Sequence, residues 1–201
     1  MGRQQRHGRT ETLEKAMNLF WRNGFSGTSL RDLEEWLDMR PGSIYSRFGN
    51  KERLYAEAMS FYAAESFAVF RSHMEKAQDF MSGLRHFIEQ LIFTPSAPRC
   101  CMLAKTLIQT TDENTALKKM AGRMIADFED HLAGHLQKAI KSGEVNNYCD
   151  PHSVARFIQI QIIGLRSYAE MEIDDRLLTE LLDDVMAAIA AKITEAGITE
   201  D

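Results

Sequence analysis

Apolar residues recur at helical spacing from one end of this chain to the other, and little interrupts them: 201 residues hold only four prolines and twelve glycines. Between Arg9 and Asn23, Leu13, Ala16, Met17, Phe20 and Trp21 follow the spacing of an amphipathic helix. Asn23-Gly24 ends it, because glycine accepts the left-handed conformation past a helix C-terminus. The loop Phe25-Ser26-Gly27-Thr28 closes on Thr28 as a candidate N-cap, and Asp32, Glu34 and Glu35 favour a helix start nearby. Leu30, Leu33 and Leu37 put one apolar face on this short second helix. Asp38-Met39-Arg40 makes a turn, and Pro41 fits the first position of a third helix ending near Phe48. Gly49-Asn50 breaks the chain again, with Asn50 capping a long helix from Lys51 to about Lys76.

The remainder keeps the same period. Asp79 to Phe93 reads as a helix, followed by the breaker Thr94-Pro95-Ser96-Ala97-Pro98. Cys101 to Gln109 is a short helix and Asp112 to Lys141 a long one, stopped by Ser142-Gly143. Asp150-Pro151 opens a helix to about Glu172, and Asp174 or Asp175 caps the last, which carries the stripe Leu178, Leu181, Leu182, Val185, Ile189 and Ile193. The expectation is an all-α protein of about nine helices.

Composition excludes other classes. With 44% hydrophobic and 26% charged residues, the chain is neither disordered nor a disulfide scaffold. No run approaches the roughly 18 apolar residues that cross a membrane, and the Arg3, Arg6, Arg9 segment lacks the apolar stretch of a signal peptide. Three cysteines, two of them adjacent (Cys100, Cys101, Cys149), fit a reducing compartment; a soluble cytoplasmic protein is expected. The net charge of −5 hides an asymmetry: residues 1–51 carry a balance of +3 and residues 52–201 one of −8. A basic quarter on an acidic body suits one face that binds a polyanion.

Two short helices joined by a tight turn behind a supporting helix make a helix-turn-helix, but many helical cores share that spacing. The residues themselves are more specific. The stretch Ala16-Met-Asn-Leu-Phe-Trp-Arg-Asn-Gly-Phe-Ser-Gly-Thr-Ser-Leu-Arg-Asp-Leu, followed by Pro41-Gly-Ser-Ile-Tyr-Ser-Arg-Phe-Gly-Asn-Lys-Glu-Arg-Leu, resembles the TetR family of bacterial transcriptional regulators over roughly residues 9–58. The resemblance implies a DNA-binding domain at 1–50, joined by a long helix to an effector-binding and dimerisation domain at 51–201. It implies double-stranded operator DNA, a second copy of the chain and a small-molecule effector as partners, with no membrane and no cofactor, and a repressor released when the effector binds. Matched to the family pattern, Thr28 and Ser29 are backbone-phosphate contacts at a helix start, and Gly42 marks close approach to DNA. Tyr45 and Lys51 are phosphate contacts, while Arg40, Pro41 and Ser43 lie on the base-reading edge. Arg40 suits bidentate recognition of guanine, worth about 1–3 kcal/mol of discrimination. Arg47, where the family often has His, reads as a phosphate contact, and the arm Arg3, Arg6, Arg9 as a minor-groove element. Two departures are Asp38, where glycine is usual in the turn, and Arg40, where Ser or Thr is usual. Ile44 and Phe48 read as core.

The rest of the resemblance implies architecture only. Phe157, Ile158, Ile162, Leu165, Leu178, Leu182, Val185 and Ile189 are read as the dimer interface. Tyr62, Phe87, Met102, Thr106, Gln109, Met124, Phe128, Gln159 and Tyr168 are candidate pocket residues, although each of the apolar ones suits an ordinary core equally. Phe67 and Phe70 belong with them. The amides Gln109, Gln159 and Gln161, lying among apolar neighbours, are the better clue, since an amide inside a core needs a partner and a ligand supplies one. Cys100 and Cys101, near a helix start, leave a thiol- or metal-responsive sensor of the same fold as the alternative. His131 and His135, one turn apart, lack a third ligand. An enzyme with a helical pocket is the remote alternative: no phosphate loop, nucleophile elbow or metal signature is present, and the chain reads as a non-enzyme.

Overall fold

The computed structural model describes residues 8–94, 98–110, 114–145, 149–171 and 173–194. Among them are nine helices and no strand: α1 (Arg9–Asn23), α2 (Leu30–Leu37), α3 (Pro41–Phe48), α4 (Lys51–Lys76), α5 (Phe80–Phe93), α6 (Met102–Gln109), α7 (Thr115–Lys141), α8 (Pro151–Ala169) and α9 (Asp175–Thr194). The caps follow from local chemistry. Asn50 accepts the Arg53 amide at 2.8 Å, Asp150 accepts the amides of His152 and Ser153, and Asp174 rather than Asp175 accepts that of Leu177. The second helix differs from its sequence reading: its N-cap is Ser29, not Thr28, and Ser29 and Asp32 exchange hydrogen bonds in a capping box. The expected breaker Pro95-Ser96-Ala97, the start at Asp112 and the end at Glu172 lie outside the described residues.

The chain divides into two compact units. The first holds α1–α3, α4 as far as Glu65, α6, and α7 as far as Met124. The unit that contains the three short helices is therefore larger than residues 1–50. Its core is built from Ala16, Phe20, Leu33, Leu37, Ile44 and Phe48, all buried. Tyr55 of α4 takes the edges of Phe20 and Phe25, with ring centroids 4.8 and 5.1 Å away. Asp38, among the described residues the one non-glycine with positive φ (51°), makes the turn between α2 and α3, as the tolerance of Asp for that region allows.

Helix α6 grips this unit by one face. Lys105 Nζ donates to the carbonyls of Trp21 and Arg22 at 3.1 and 2.7 Å. Those carbonyls end α1, where a cation also complements the helix dipole. Thr106 and Tyr55 share a buried hydroxyl hydrogen bond of 2.7 Å. Gln109 lies against Gly24, whose φ of +75° already calls for glycine; a Cβ there would come within 2.3 Å of the Gln109 oxygen.

The second unit holds the rest of α4, α5, the rest of α7, α8 and α9. Its core runs from Phe70 and Phe87 through Leu132, Leu136, Ile158 and Ile162 to Leu178 and Ile189. Arg85 links α5 to α9 through Asp183 at 2.6 Å. At the end of α8, Arg99 Nη1 donates to the Ala169 carbonyl at 3.0 Å and Arg166 Nε to the Arg99 carbonyl at 2.6 Å. Among the described residues no helix is long and apolar enough to cross a membrane.

Candidate nucleic-acid interface

Helices α2 and α3, joined by the Asp38 turn, present their outward edge through Arg40, Pro41, Gly42, Ser43 and Tyr45, all exposed. Arg40 is the residue before α3, held extended because Pro41 follows it at the first helical position. The inward positions Ile44 and Phe48 are buried, which fixes the opposite edge outward by helical period. A Cβ on Gly42 would meet no atom within 4 Å, so nothing inside the chain demands glycine there. Gly42→Ala is therefore expected to leave thermal stability unchanged or slightly raised, by up to about 1 kcal/mol. If an external backbone must approach Gly42, the same change lowers DNA affinity. A melt and a DNA titration of one variant check both halves.

Other expected contacts are placed differently. Thr28 is fully buried and its hydroxyl donates to the Gly24 carbonyl at 2.7 Å, so it shapes the loop before α2 and has no surface to offer a phosphate. Ser29 is exposed; its oxygen accepts the Asp32 amide, which leaves the hydroxyl proton as a donor at the helix start. The Asp32 carboxyl is held below its ordinary range by hydrogen bonds from Ser29. Arg47 is turned back onto α1, with Nη1 donating to Thr12 at 3.2 Å. Arg9, expected on a free arm, pairs with Glu57 and lies 4.9 Å from the Phe48 ring centre; Arg3 and Arg6 fall outside the described residues. Lys51 is half-buried with its ammonium 4.4 Å from the Phe25 ring centre. Burial lowers its pKa and the Asp32 charge opposes that. Lys105 was legible nowhere in the sequence as part of this unit, because its partners lie more than 80 residues away.

This geometry meets two family models that together span most of the chain: "Bacterial regulatory proteins, tetR family" matches residues 13–58, and "Tetracyclin repressor-like, C-terminal domain" matches residues 74–195. The chain belongs to the TetR family. It is a DNA-binding transcriptional regulator of that family. Among its curated relatives, the HTH-type transcriptional repressor ComR of Escherichia coli K12 is 25% identical over 168 residues, covering 82% of this chain and 80% of the relative. The uncharacterized HTH-type regulator YezE of Bacillus subtilis is 25% identical over 182 residues, covering 88% and 94%. Among solved structures, a cysteine mutant of the TetR regulator CifR, bound to 26 bp of double-strand operator DNA, superposes with a TM-score of 0.84 at 23% identity, covering 92% of this chain and 99% of that one. Reduced NemR of Escherichia coli gives 0.74 at 15% identity, covering 93% and 97%.

In this TetR-family chain the candidate pocket residues fall into both compact units. Tyr62, Met102 and Thr106 are buried in the first, Met124 is half-buried and Gln109 exposed. In the second, Phe87 is buried and stacks on the half-buried Phe128 with centroids 5.8 Å apart. Gln159 is buried there too, whereas Tyr168 is exposed on the outer side of α8. Five of the expected dimer residues need correction. Ile158, Ile162, Leu178, Leu182 and Ile189 are buried within this chain's own core, while Phe157 is half-buried and Leu165 and Val185 line a groove at the surface of α8 and α9. Most of the apolar stripe marks the inner face of the bundle. Ile160, Tyr168 and Met171 are exposed, and a groove of about 360 Å³ is lined by Gln161, Gly164, Leu165, Tyr168, Leu181, Asp184, Val185 and Ala188.

Cys100 is half-buried and Cys101 buried. Burial, foremost, and the neighbouring Cys101 raise the Cys100 pKa above that of an ordinary thiol, the reverse of what a thiolate sensor needs. His131 stacks on Phe67 at 3.8 Å and His135 takes an edge contact with Phe70 at 5.2 Å. Among the described residues no three His, Cys, Asp or Glu side chains converge as a metal site.

Proposed function

We propose that this regulator is a cytoplasmic homodimeric repressor whose operator affinity falls when a small molecule occupies its second domain, and that it has no catalytic activity. The observation that carries the DNA-reading half is the outward edge of α3: Arg40, Pro41, Gly42, Ser43 and Tyr45 exposed together, with open space at Gly42. Arg40 reads a base edge, Ser29, Tyr45 and Lys51 hold phosphates, and Gly42 admits the DNA backbone. Two copies meet through the outer faces of α8 and α9, where Gly164 leaves room for a helix to approach closely. The dimer sets two recognition helices about 34–36 Å apart, one turn of DNA, and an effector acts by favouring a different spacing. Such coupling is commonly about 1–3 kcal/mol.

Fluorescence anisotropy of the purified protein against its own upstream DNA and a scrambled control tests this. Specific binding is expected, and Arg40→Ala should lose about 1–3 kcal/mol of discrimination at one base pair per half-site while binding scrambled DNA almost as before. An Arg40→Ala variant with unaltered sequence preference would remove Arg40 from the base-reading edge.

A further inference from the structure

We infer that Gln159 is the polar anchor of a binding site in the second unit, and that the site takes a neutral, largely apolar molecule presenting one hydroxyl or N–H donor. This rests on the effector-release reading above and gives its ligand a chemical class. Among the described residues, the buried polar side chains of the second unit are Gln159 and Arg166. They lie two turns apart on one stripe of α8, with the buried Ala155 and Ile162 between and beside them. Arg166 is engaged, its Nε donating to the Arg99 carbonyl. Gln159 Oε1 is different: it is buried and accepts no hydrogen bond.

A buried acceptor without a donor is costly, and leucine would fill a similar volume at no such cost. Natural cores carry few such atoms, so a retained one needs a reason. The chemistry of the surroundings narrows it. A carbonyl oxygen asks for a donor and repels a carboxylate. The positions beside it on α8, Ile158 and Ile162, are buried and aliphatic, and α5, which packs on α8, buries Leu84, Phe87 and Ile88 in the same core. An ammonium ion there would lose its hydration without gaining a counter-charge. A neutral hydroxyl or N–H on an apolar body satisfies the oxygen and leaves no charge buried.

Phenol and toluene are matched probes, alike in size and shape but differing in the donor. The experiment measures the unfolding midpoint of the full-length protein against increasing concentrations of each, for wild type, Gln159→Leu and the near-isosteric Gln159→Met. Binding to the native state alone raises the midpoint with the logarithm of one plus ligand concentration over Kd, so the titration yields each affinity. Wild type is expected to bind phenol about tenfold more tightly than toluene. Both variants should lose that preference and, without ligand, melt above wild type. Three outcomes overturn the inference: no phenol binding by wild type, equal binding of the two probes as when an internal water already satisfies Gln159, or a preference that survives in both variants. Operator anisotropy run alongside separates the two proposals. Gln159-dependent phenol binding with operator affinity unmoved by phenol sustains the anchor and counts against effector release. Release by phenol in wild type and both variants alike sustains effector release and removes the anchor.

Discussion

Operator affinity is expected to fall roughly 10³–10⁵-fold between about 50 and 200 mM salt, the response of a dimer neutralising six to ten phosphates. The protein's net charge of −5 makes this demanding, because the dependence must come from the few cations around α3 and the start of α4. The structure gives Lys51 a defined part. Its ammonium now rests against the Phe25 ring, a contact worth about 0.5–1 kcal/mol at an exposed site, so moving it to a phosphate costs little. Lys51→Ala should weaken binding to all sequences alike and lower the salt slope by about 1 per subunit. Tyr45→Phe removes a neutral donor, so it should weaken binding by roughly tenfold with the slope unchanged. Arg47→Ala serves as the contrast: its guanidinium bonds Thr12, and its loss should appear mainly as lower stability. Wild-type affinity and slope in both Lys51→Ala and Tyr45→Phe would remove these residues from the interface.

Helices and their ends were legible because each is a local event. A 3.6-residue apolar period, a proline at a first position and an Asn or Asp cap are all decided within a few residues of chain. The exception proves local too: Ser29 and Asp32 form the capping box one residue later than Thr28 promised, and Thr28 turns inward to close its loop instead. What stayed hidden was set by distant partners. Arg9 and Arg47 read as cations for DNA, yet Arg9 meets Glu57 and Arg47 meets Thr12 across separate helices. The Leu178–Ile193 stripe read as a face for a second copy, yet Leu178, Leu182, Ile189 and Ile193 are buried by this chain's own bundle and only Leu181 and Val185 reach the surface groove. Gln159 shows the opposite outcome. An amide among isoleucines was a clue in the sequence, and it is an orphaned acceptor in the structure.

Phe70→Ala should destabilise the second unit by about 3–5 kcal/mol, the range for truncating a buried phenylalanine. Phe70 is fully buried, and its ring meets Phe87, Phe128 and His135, each with centroids 5.2 Å away. Two helices, α5 and α7, would thus lose a common partner on α4. Phe67→Ala should cost less, since Phe67 is half-buried. Urea unfolding at fixed protein concentration measures both, with the midpoint reporting stability and the slope reporting any change in the surface exposed. A Phe70→Ala cost no larger than that of Phe67→Ala would mean the three rings do not depend on one another. His135 supplies an independent readout. Burial, foremost, and then the charges of Lys138 and His131 lower its pKa below 6.5, against the opposing pull of Glu75. The folded state therefore binds that proton less readily than the unfolded state. Stability from the neutral ring is complete above about pH 6.5 and is lost as pH falls through the folded value. Opening a cavity at Phe70 lets water reach the ring, so the His135 pKa should rise toward its ordinary value and the acid-side loss of stability should shrink. Titration of the His135 ring protons by NMR in both proteins reads that change directly, and an unmoved His135 would show that the cavity closes by collapse of the neighbouring rings.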